Sequence, residues 1–338
     1  MKVDSCWPAR PRPLPDELLS SWLMRIAAAN GQKLQAFCDC AFGKERQLWN
    51  RDVDRLAPRW LISELSFRTG LSILCIRGMT LNAYCGTIFR HRQLSGQLRW
   101  ILPLRMYHRK RLGFGIQFCP TCLAEDDEKP YFRRRWRVAY CTCCLKHNSL
   151  LRDRCPSCLA PVAFHRRELG RPEVLDAGPM YLCHNCDYDL RRTPVADIPV
   201  YDPSAYLLMR TLVQNLEVNQ AAKHRFGVGF HDTLHQMCKI IASHRPGLGL
   251  KQFVEGQLHI SAAALEIGRF PFENRSVSER HYVVSLALWV MSDMRRRLRA
   301  AWKSGAVRYN ALLKDLDPPP RRLVSMTDRF NRNRASSL

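Results

Sequence analysis

A chain of 338 residues is long enough for two or three domains, each burying its own core. Its hydrophobic content of 46% supports a folded protein, and the net charge of +23 points to a polyanionic partner, most simply nucleic acid. No apolar run approaches the roughly eighteen residues that span a bilayer, and Pro8, Pro11, Pro13 and Pro15 interrupt any signal-peptide core, so a soluble cytoplasmic protein with no membrane partner is expected.

The charge is unevenly spread. Residues 1–112 carry 19 Lys/Arg against 8 Asp/Glu, residues 113–195 carry 13 against 10, and residues 196–338 carry 21 against 12. These stretches are taken as an N-terminal helical domain, a tandem metal-binding domain and a C-terminal basic helical domain. Acidic proteins or anionic membranes would answer the same field.

The Pro-rich lead-in over 8–15 is expected to be extended, with Asp16 capping a helix whose apolar residues Leu18, Leu19, Trp22, Leu23 and Ile26 follow helical spacing, and with Asn30-Gly31 ending it. A second helical unit begins at Pro58. Leu65, Ser66, Gly70, Leu71, Ile76 and Met79 fit a helix-turn-helix pattern, with glycine at the turn and apolar side chains where the second helix packs on the first. Its recognition helix would be Ile73 to Met79, where only Arg77 can read a base edge; an ordinary helical hairpin gives the same pattern. The apolar content suggests protein docking through Leu19, Trp22, Ile73 and Ile76, with domain core as the competing reading.

The most specific signal follows. Cys119-x-x-Cys122 with Cys144-x-x-His147, and Cys155-x-x-Cys158 with Cys183-x-x-Cys186, form two metal-ligand sets in one stretch. A Cys-x-x-Cys turn places two thiolates on one side, and two such half-sites complete the tetrahedral cage that zinc prefers. Disulfides compete, but fifteen Cys is an odd number and the paired spacings favour reduced thiols. Cys141 and Cys143 lie near Cys144; the Cys144–His147 pair repeats the two-residue spacing and leaves Cys141 to pack as a small hydrophobe. Four protein ligands leave no open position for water, so two structural Zn²⁺ ions are expected.

Between the first half-sites runs Pro130-Tyr131-Phe132-Arg133-Arg134-Arg135-Trp136-Arg137. Arg133, Arg134 and Arg135 are candidates for nucleic-acid contact, since guanidinium pairs with phosphate and aromatic rings accept bases. The favoured reading, in a small metal domain with little core, is packing of Tyr131, Phe132 and Trp136 around the metal or against a neighbouring domain, with the arginines solvated or paired.

After Pro199 the pattern is again helical. Ser276-Val277-Ser278-Glu279 is a capping box opening a long helix through Val283, Leu286, Val290, Met294 and Leu298. Arg295, Arg296, Arg297 and Arg299 would then sit near its C-terminal end and complement the dipole, with Ser304-Gly305 as the stop. A shorter helix from Ala306 to Leu316 completes a hairpin whose exposed arginines, Arg308 included, suit phosphate contact. Residues after Arg329 read as a frayed tail. His231, His235 and Cys238 could share one helical face and hold a third metal, but no carboxylate stands at a fixed spacing from them. There is no phosphate-binding glycine loop, H-E-x-x-H or G-x-S-x-G motif.

The ordered features resemble the TniQ family, which includes TnsD-type target selectors. The resemblance rests on Arg10-Pro11-Arg12-Pro13-Leu14-Pro15-Asp16-Glu17 leading to Leu19-Ser20-Ser21-Trp22-Leu23, on Phe118-Cys119-Pro120-x-Cys122, and on the run from Pro130 to Arg137. Cys144-x-x-His147, Asp153-x-Cys155-Pro156-x-Cys158 and Cys183-x-x-Cys186-x-x-Asp189-Leu190 complete it, and Arg308-Tyr309-Asn310 is suggestive. Asp187 departs from the pattern, because a glycine is common there. The elements read above make a mainly α protein, with helix-turn-helix-like flanks around two zinc-ribbon or zinc-finger modules. The resemblance implies a non-enzymatic adaptor that marks a target, by binding DNA or docking on a CRISPR guide-RNA effector complex, and recruits an AAA+ ATPase regulator and transposase. Homodimerisation is left open. A zinc-containing transcription regulator is the leading alternative, and a metal-dependent nuclease the third.

Overall fold

The structure, a computed structural model, describes residues 6–46, 48–104, 106–107, 110–111, 113–169, 171, 178–216, 226–244, 249–268, 271–321 and 323–328; the expected tail after Arg329 lies outside them. The fold is mostly helical, and the described strands are short. The chain divides into two compact units, Met1–Cys85 with Arg92–Ala196, and Gly86–His91 with Asp197–Leu338.

The first unit opens with α1 (Leu19–Ala29) and α2 (Leu34–Phe42), followed by α3 (Val53–Leu56), α4 (Arg59–Thr69), α5 (Ile73–Gly78) and α6 (Pro120–Glu125). Helix α1 buries Leu19, Trp22, Leu23 and Ile26, as their spacing requires, and Asn30 with Gly31 at φ +66° ends it. Asp16 does not cap it. Leu18 occupies the cap position without a side-chain bond, and Asp16, at φ +56°, turns away to face Arg134 and Arg135. Helix α2 is capped from far along the chain, Glu168 Oε1 accepting from Leu34 N at 2.9 Å. Asp52 and Ser72 cap α3 and α5 locally. Between α4 and α5, Gly70 adopts φ +73°, a left-handed conformation that glycine takes without a Cβ penalty.

Two hairpins, β1 (Met106–Tyr107) with β2 (Lys110–Arg111) and β3 (Cys143–Cys144) with β4 (Ser149–Leu150), are antiparallel. The unit's core is aromatic. Phe132 stacks on Phe164 at 4.5 Å, Trp100 meets the edge of Tyr140 at 5.1 Å, and Trp136 is fully buried. Buried within it, Arg137 pairs with Asp52 at 2.6 Å and Asp54 at 3.3 Å and donates to Leu102 O at 2.9 Å. Asp54 also accepts from the N–H and Oγ–H of Ser20, which ties α1 to this network. An arginine is tolerated there because two carboxylates pair with it, Asp54 held by Ser20 and Asp52 by the Arg55 N–H.

The second unit holds α7 (Pro203–Asn215), α8 (Val228–Ile241), α9 (Leu250–Leu258), α10 (Val277–Ser292), α11 (Met294–Lys303) and α12 (Tyr309–Leu313). Helix α10 is its axis, buried along nearly all its length and packed against α7 and α8. The capping box is formed as the sequence indicates, Ser276 Oγ accepting from Glu279 N and Glu279 Oε2 from Ser276 N. The expected long helix is not continuous. It breaks at Asp293 (φ −139°, ψ 62°), and Arg297 folds back to donate to the Trp289 carbonyl, a terminal group of α10, while stacking on the Trp289 ring at 4.0 Å. Gly305 at φ +74° then stops α11 as expected, and α12 is shorter than the span from Ala306 to Leu316. Among the described residues no helix is long and apolar enough to cross a membrane.

Candidate metal centres

The first ligand set is assembled from one helix and one hairpin. Cys119 is the N-cap of α6, its Sγ accepting from Cys122 N at 3.4 Å, with Pro120 at the first helical position where its missing N–H costs nothing. Cys144 ends β3, and Asn148 at φ +47° turns the chain so that His147 points back at the thiols. Cys122 Sγ and Cys144 Sγ are 3.6 Å apart, and His147 Nδ1 lies 3.4, 3.3 and 3.5 Å from Cys119, Cys122 and Cys144 Sγ. A tetrahedron with Zn–S of about 2.3 Å and Zn–N of about 2.05 Å has S–S edges of about 3.8 Å and S–N edges of about 3.6 Å. The donors therefore already stand at zinc's spacing, far beyond the roughly 2.05 Å of a disulfide.

The second set is built from two matching turns. Cys155 N donates to Ala160 O and Leu159 N to Cys155 O; Cys183 N donates to Tyr188 O and Asp187 N to Cys183 O. The Sγ pairs Cys155–Cys186 and Cys158–Cys183 are each 3.6 Å apart, and all four sulfurs lie within 4.8 Å of one another. Asp187 occupies the turn position where glycine is common. It adopts φ +56° and is held there by Arg167 at 2.9 Å and Arg171 at 2.6 Å; Leu159 takes φ +58° in the companion turn. The unusual residue is thus accommodated by ion pairs, and the four sulfurs keep their close spacing.

The two sets differ in environment. Cys119, Cys122 and Cys144 are buried, whereas Cys186 is exposed and Cys158 half-buried. Hydrogen bonds from the Cys119 and Cys122 thiols hold Cys144 well below the ordinary thiol range, and sharing with Cys119 pushes Cys122 up. Burial acts upward on Cys158, yet hydrogen bonds from Ala160 N–H, Asn185 and the neighbouring thiols bring it to about 7. Glu125 Oε1 lies 2.9 Å from His147 Nε2, the outer ring nitrogen, where a carboxylate fixes the ring and raises its basicity as a ligand. Sequence reasoning missed Glu125, although its place three residues after Cys122 on α6 was a usable signal. Both sets are closed, with four protein donors each.

His231, His235 and Cys238 do not converge. His235 Nε2 is 2.9 Å from Glu273 Oε1, His231 Nδ1 is 3.1 Å from Gly227 O, and Cys238 is buried in α8. Among the described residues the metal-ligand clusters are the two sets above.

The arginine–aromatic run is turned inward. Arg133 makes a two-toothed pair with Asp126 at 2.7 Å and stacks between Tyr131 and Trp136; Arg134 faces Asp16, the Gly78 carbonyl and the Tyr84 ring; Arg135 meets Asp16 at 3.0 Å. Of the docking candidates, Leu19, Trp22 and Ile76 are fully buried, and Ile73 is 41% exposed beside Leu74 at 74%. Arg77 is exposed on α5. Arg295, Arg296, Arg299 and Arg308 are exposed, Arg296 pairing with Asp293 at 2.7 Å, whereas Arg297 is taken up by Trp289. Because α11 begins at Met294, these arginines open a helix instead of closing one, and they do not complement its dipole.

Among protein-family models, TniQ matches residues 8–151. This segment is a TniQ family domain. It contains the first ligand set, the arginine run and helices α1 to α6. TniQ family proteins are non-catalytic adaptors of transposition, and the domain implies a role in selecting transposition targets. Comparison with curated proteins gives no match.

Proposed function

We propose that this chain is a target-selection adaptor: it binds DNA, or docks on a guide-RNA effector complex, and recruits an AAA+ ATPase regulator and through it the transposase. The observation that carries this reading is the TniQ domain, joined to two closed tetrahedral ligand sets. Closed sites hold zinc as a structural ion and give it no position for a reacting water. The zinc ions then supply rigidity, and function resides in surfaces.

Two surfaces suit the role. On α11, Arg295 and Arg296 stand in the first turn, where positive charge works against the helix dipole by about 0.3–1 kcal/mol each, and Arg299 follows in the second turn. Their own helix gives no reason for them; phosphate does, since backbone contacts by arginine position a protein on nucleic acid. On the α4–α5 hairpin, Phe67, Ile73 and Leu74 are exposed apolar side chains beside Arg77 and suit a protein partner.

The test is reconstitution with transposase and AAA+ partner. Omitting this chain should abolish site-selected insertion and leave untargeted background. An Ile73→Ser, Leu74→Ser double variant should lose ATPase association while retaining its fold. DNA cleavage by the isolated protein, abolished by substituting one of its own carboxylates, would overturn the adaptor reading.

A further inference from the structure

Between α2 and α4 the first unit carries a surface cavity of about 410 Å³, within the size range of small-molecule sites. Val53, Leu56 and Pro58 form apolar walls beside the half-buried indole of Trp60. Arg46 and Arg51 stand at the rim, both exposed, and the Arg46 guanidinium lies over the Trp60 ring at 4.4 Å from its centroid. The lining contains one carboxylate, Glu45, which is largely exposed and 4.0 Å from Arg46. Arg51 has no carboxylate within ion-pair distance among the described residues. It also lines a neighbouring cavity of about 630 Å³, together with Arg55, whose guanidinium is held by the carbonyls of Gln93 and Gly96 at 2.8 Å.

This combination selects a ligand class. An indole and apolar walls favour a flat ring; guanidiniums at the rim favour an anion attached to that ring; and Arg51 with Arg55 carries positive charge into the second cavity, whose one carboxylate, Asp52, is already paired with Arg137 at 2.6 Å. A nucleotide meets all three requirements. A base inside a duplex does not, because both its faces are stacked and it would first have to be extruded.

We propose that Trp60, Arg46 and Arg51 form a binding site for an unpaired nucleotide of single-stranded nucleic acid, the base entering beside Trp60 and the flanking phosphates meeting the rim arginines. The site is distinct from α11 and does not rest on the adaptor reading.

Fluorescence anisotropy on the full zinc-loaded chain tests it, with labelled oligo-dT, oligo-U, an abasic strand of equal length and a blunt duplex as probes. Trp60→Leu should weaken binding of the base-bearing strands about fivefold or more, the lower end of what a base–aromatic stack contributes, and Trp60→Phe should restore part of it. Arg51→Gln should weaken single-strand binding without touching the fold, since its side chain is exposed. Tighter binding of oligo-U assigns RNA and tighter binding of oligo-dT assigns DNA; comparable affinity supports the shared nucleotide chemistry. An abasic strand that binds as tightly as oligo-dT overturns the proposal, as does wild-type affinity in Trp60→Leu and Arg51→Gln proteins with unchanged melting and zinc content.

Discussion

Replacing Cys186 with serine should cost the protein one zinc ion of two, and the second site should be the first emptied when the wild type meets a chelator. The order follows from access. Three thiols of the first set are buried, and the outer nitrogen of its His147 is covered by Glu125, whereas Cys186 is exposed and Cys158 half-buried. A chelator must reach a thiolate to begin exchange, and only the second set offers one at the surface. X-ray absorption on the intact protein should give the average of a site with three sulfurs and one nitrogen and a site with four sulfurs, about 3.5 sulfurs at 2.3 Å and about 0.5 nitrogen at 2.0–2.1 Å per zinc. Cys186→Ser protein should shift to about three sulfurs and one nitrogen. Losing the second metal should also loosen its anchors on the N-terminal helices: Glu168 capping α2, His165 stacked on Trp49 at 5.1 Å, and Phe164 on Phe132. Protection of α2 amides from hydrogen exchange should therefore fall while α6 stays protected. Two zinc ions retained in the Cys186 variant, or the first site emptying before the second, would refute the assignment; Cys40→Ser and Cys75→Ser, at exposed thiols outside both sets, serve as controls.

Replacing Arg137 with methionine should destabilise the first unit by about 3–5 kcal/mol in chemical denaturation, because Asp54 would be left buried with only Ser20 to satisfy it. Burial, reinforced by the neighbouring Asp52 carboxylate, holds Asp54 up at about 6 against the lowering effect of Arg137. The folded state then binds more protons than the unfolded one between about 3.8 and 6, so this carboxyl adds stability as pH falls through that window and loses it as pH rises. Asp54→Asn should flatten that part of the stability–pH curve measured by thermal melting. Charge-neutral Gln at Arg295, Arg296 and Arg299 should weaken duplex binding across sequences and reduce the log K against log salt slope by about 0.9 for each phosphate no longer neutralised. An unchanged slope in folded protein would move the duplex surface elsewhere.

The metal centres were legible because their determinants are local: two-residue spacings fix the turns, and the turns fix the sulfurs. The fate of the arginine run was not. Only Arg133 pairs nearby, with Asp126 seven residues before it; the other partners are Asp16, 119 residues before Arg135, and Asp52 and Asp54, 85 and 83 residues before Arg137, and no local pattern announces them. A run that resembles a phosphate-binding strip is therefore the glue between the metal stretch and the N-terminal helices. Trp22 illustrates the same limit, since a helical aromatic can anchor a partner or its own core, and here its ring is buried and its Nε1 donates to Pro11 O at 2.9 Å.

The break at Asp293 is hidden in the sequence because the apolar spacing of Val290, Met294 and Leu298 runs straight through it, and periodicity does not register a turn that preserves the buried face. The consequence reaches function. In a continuous helix the arginines would be explained by the dipole of α10, and their removal would cost helix stability. With α11 starting at Met294 they crowd the positive end of a new helix, where Asp293 offsets them in part through its 2.7 Å pair with Arg296. Removing them should then leave the melting temperature unchanged or raise it while lowering affinity for polyanions. That opposite movement of stability and binding separates a surface kept for a partner from one kept for the fold.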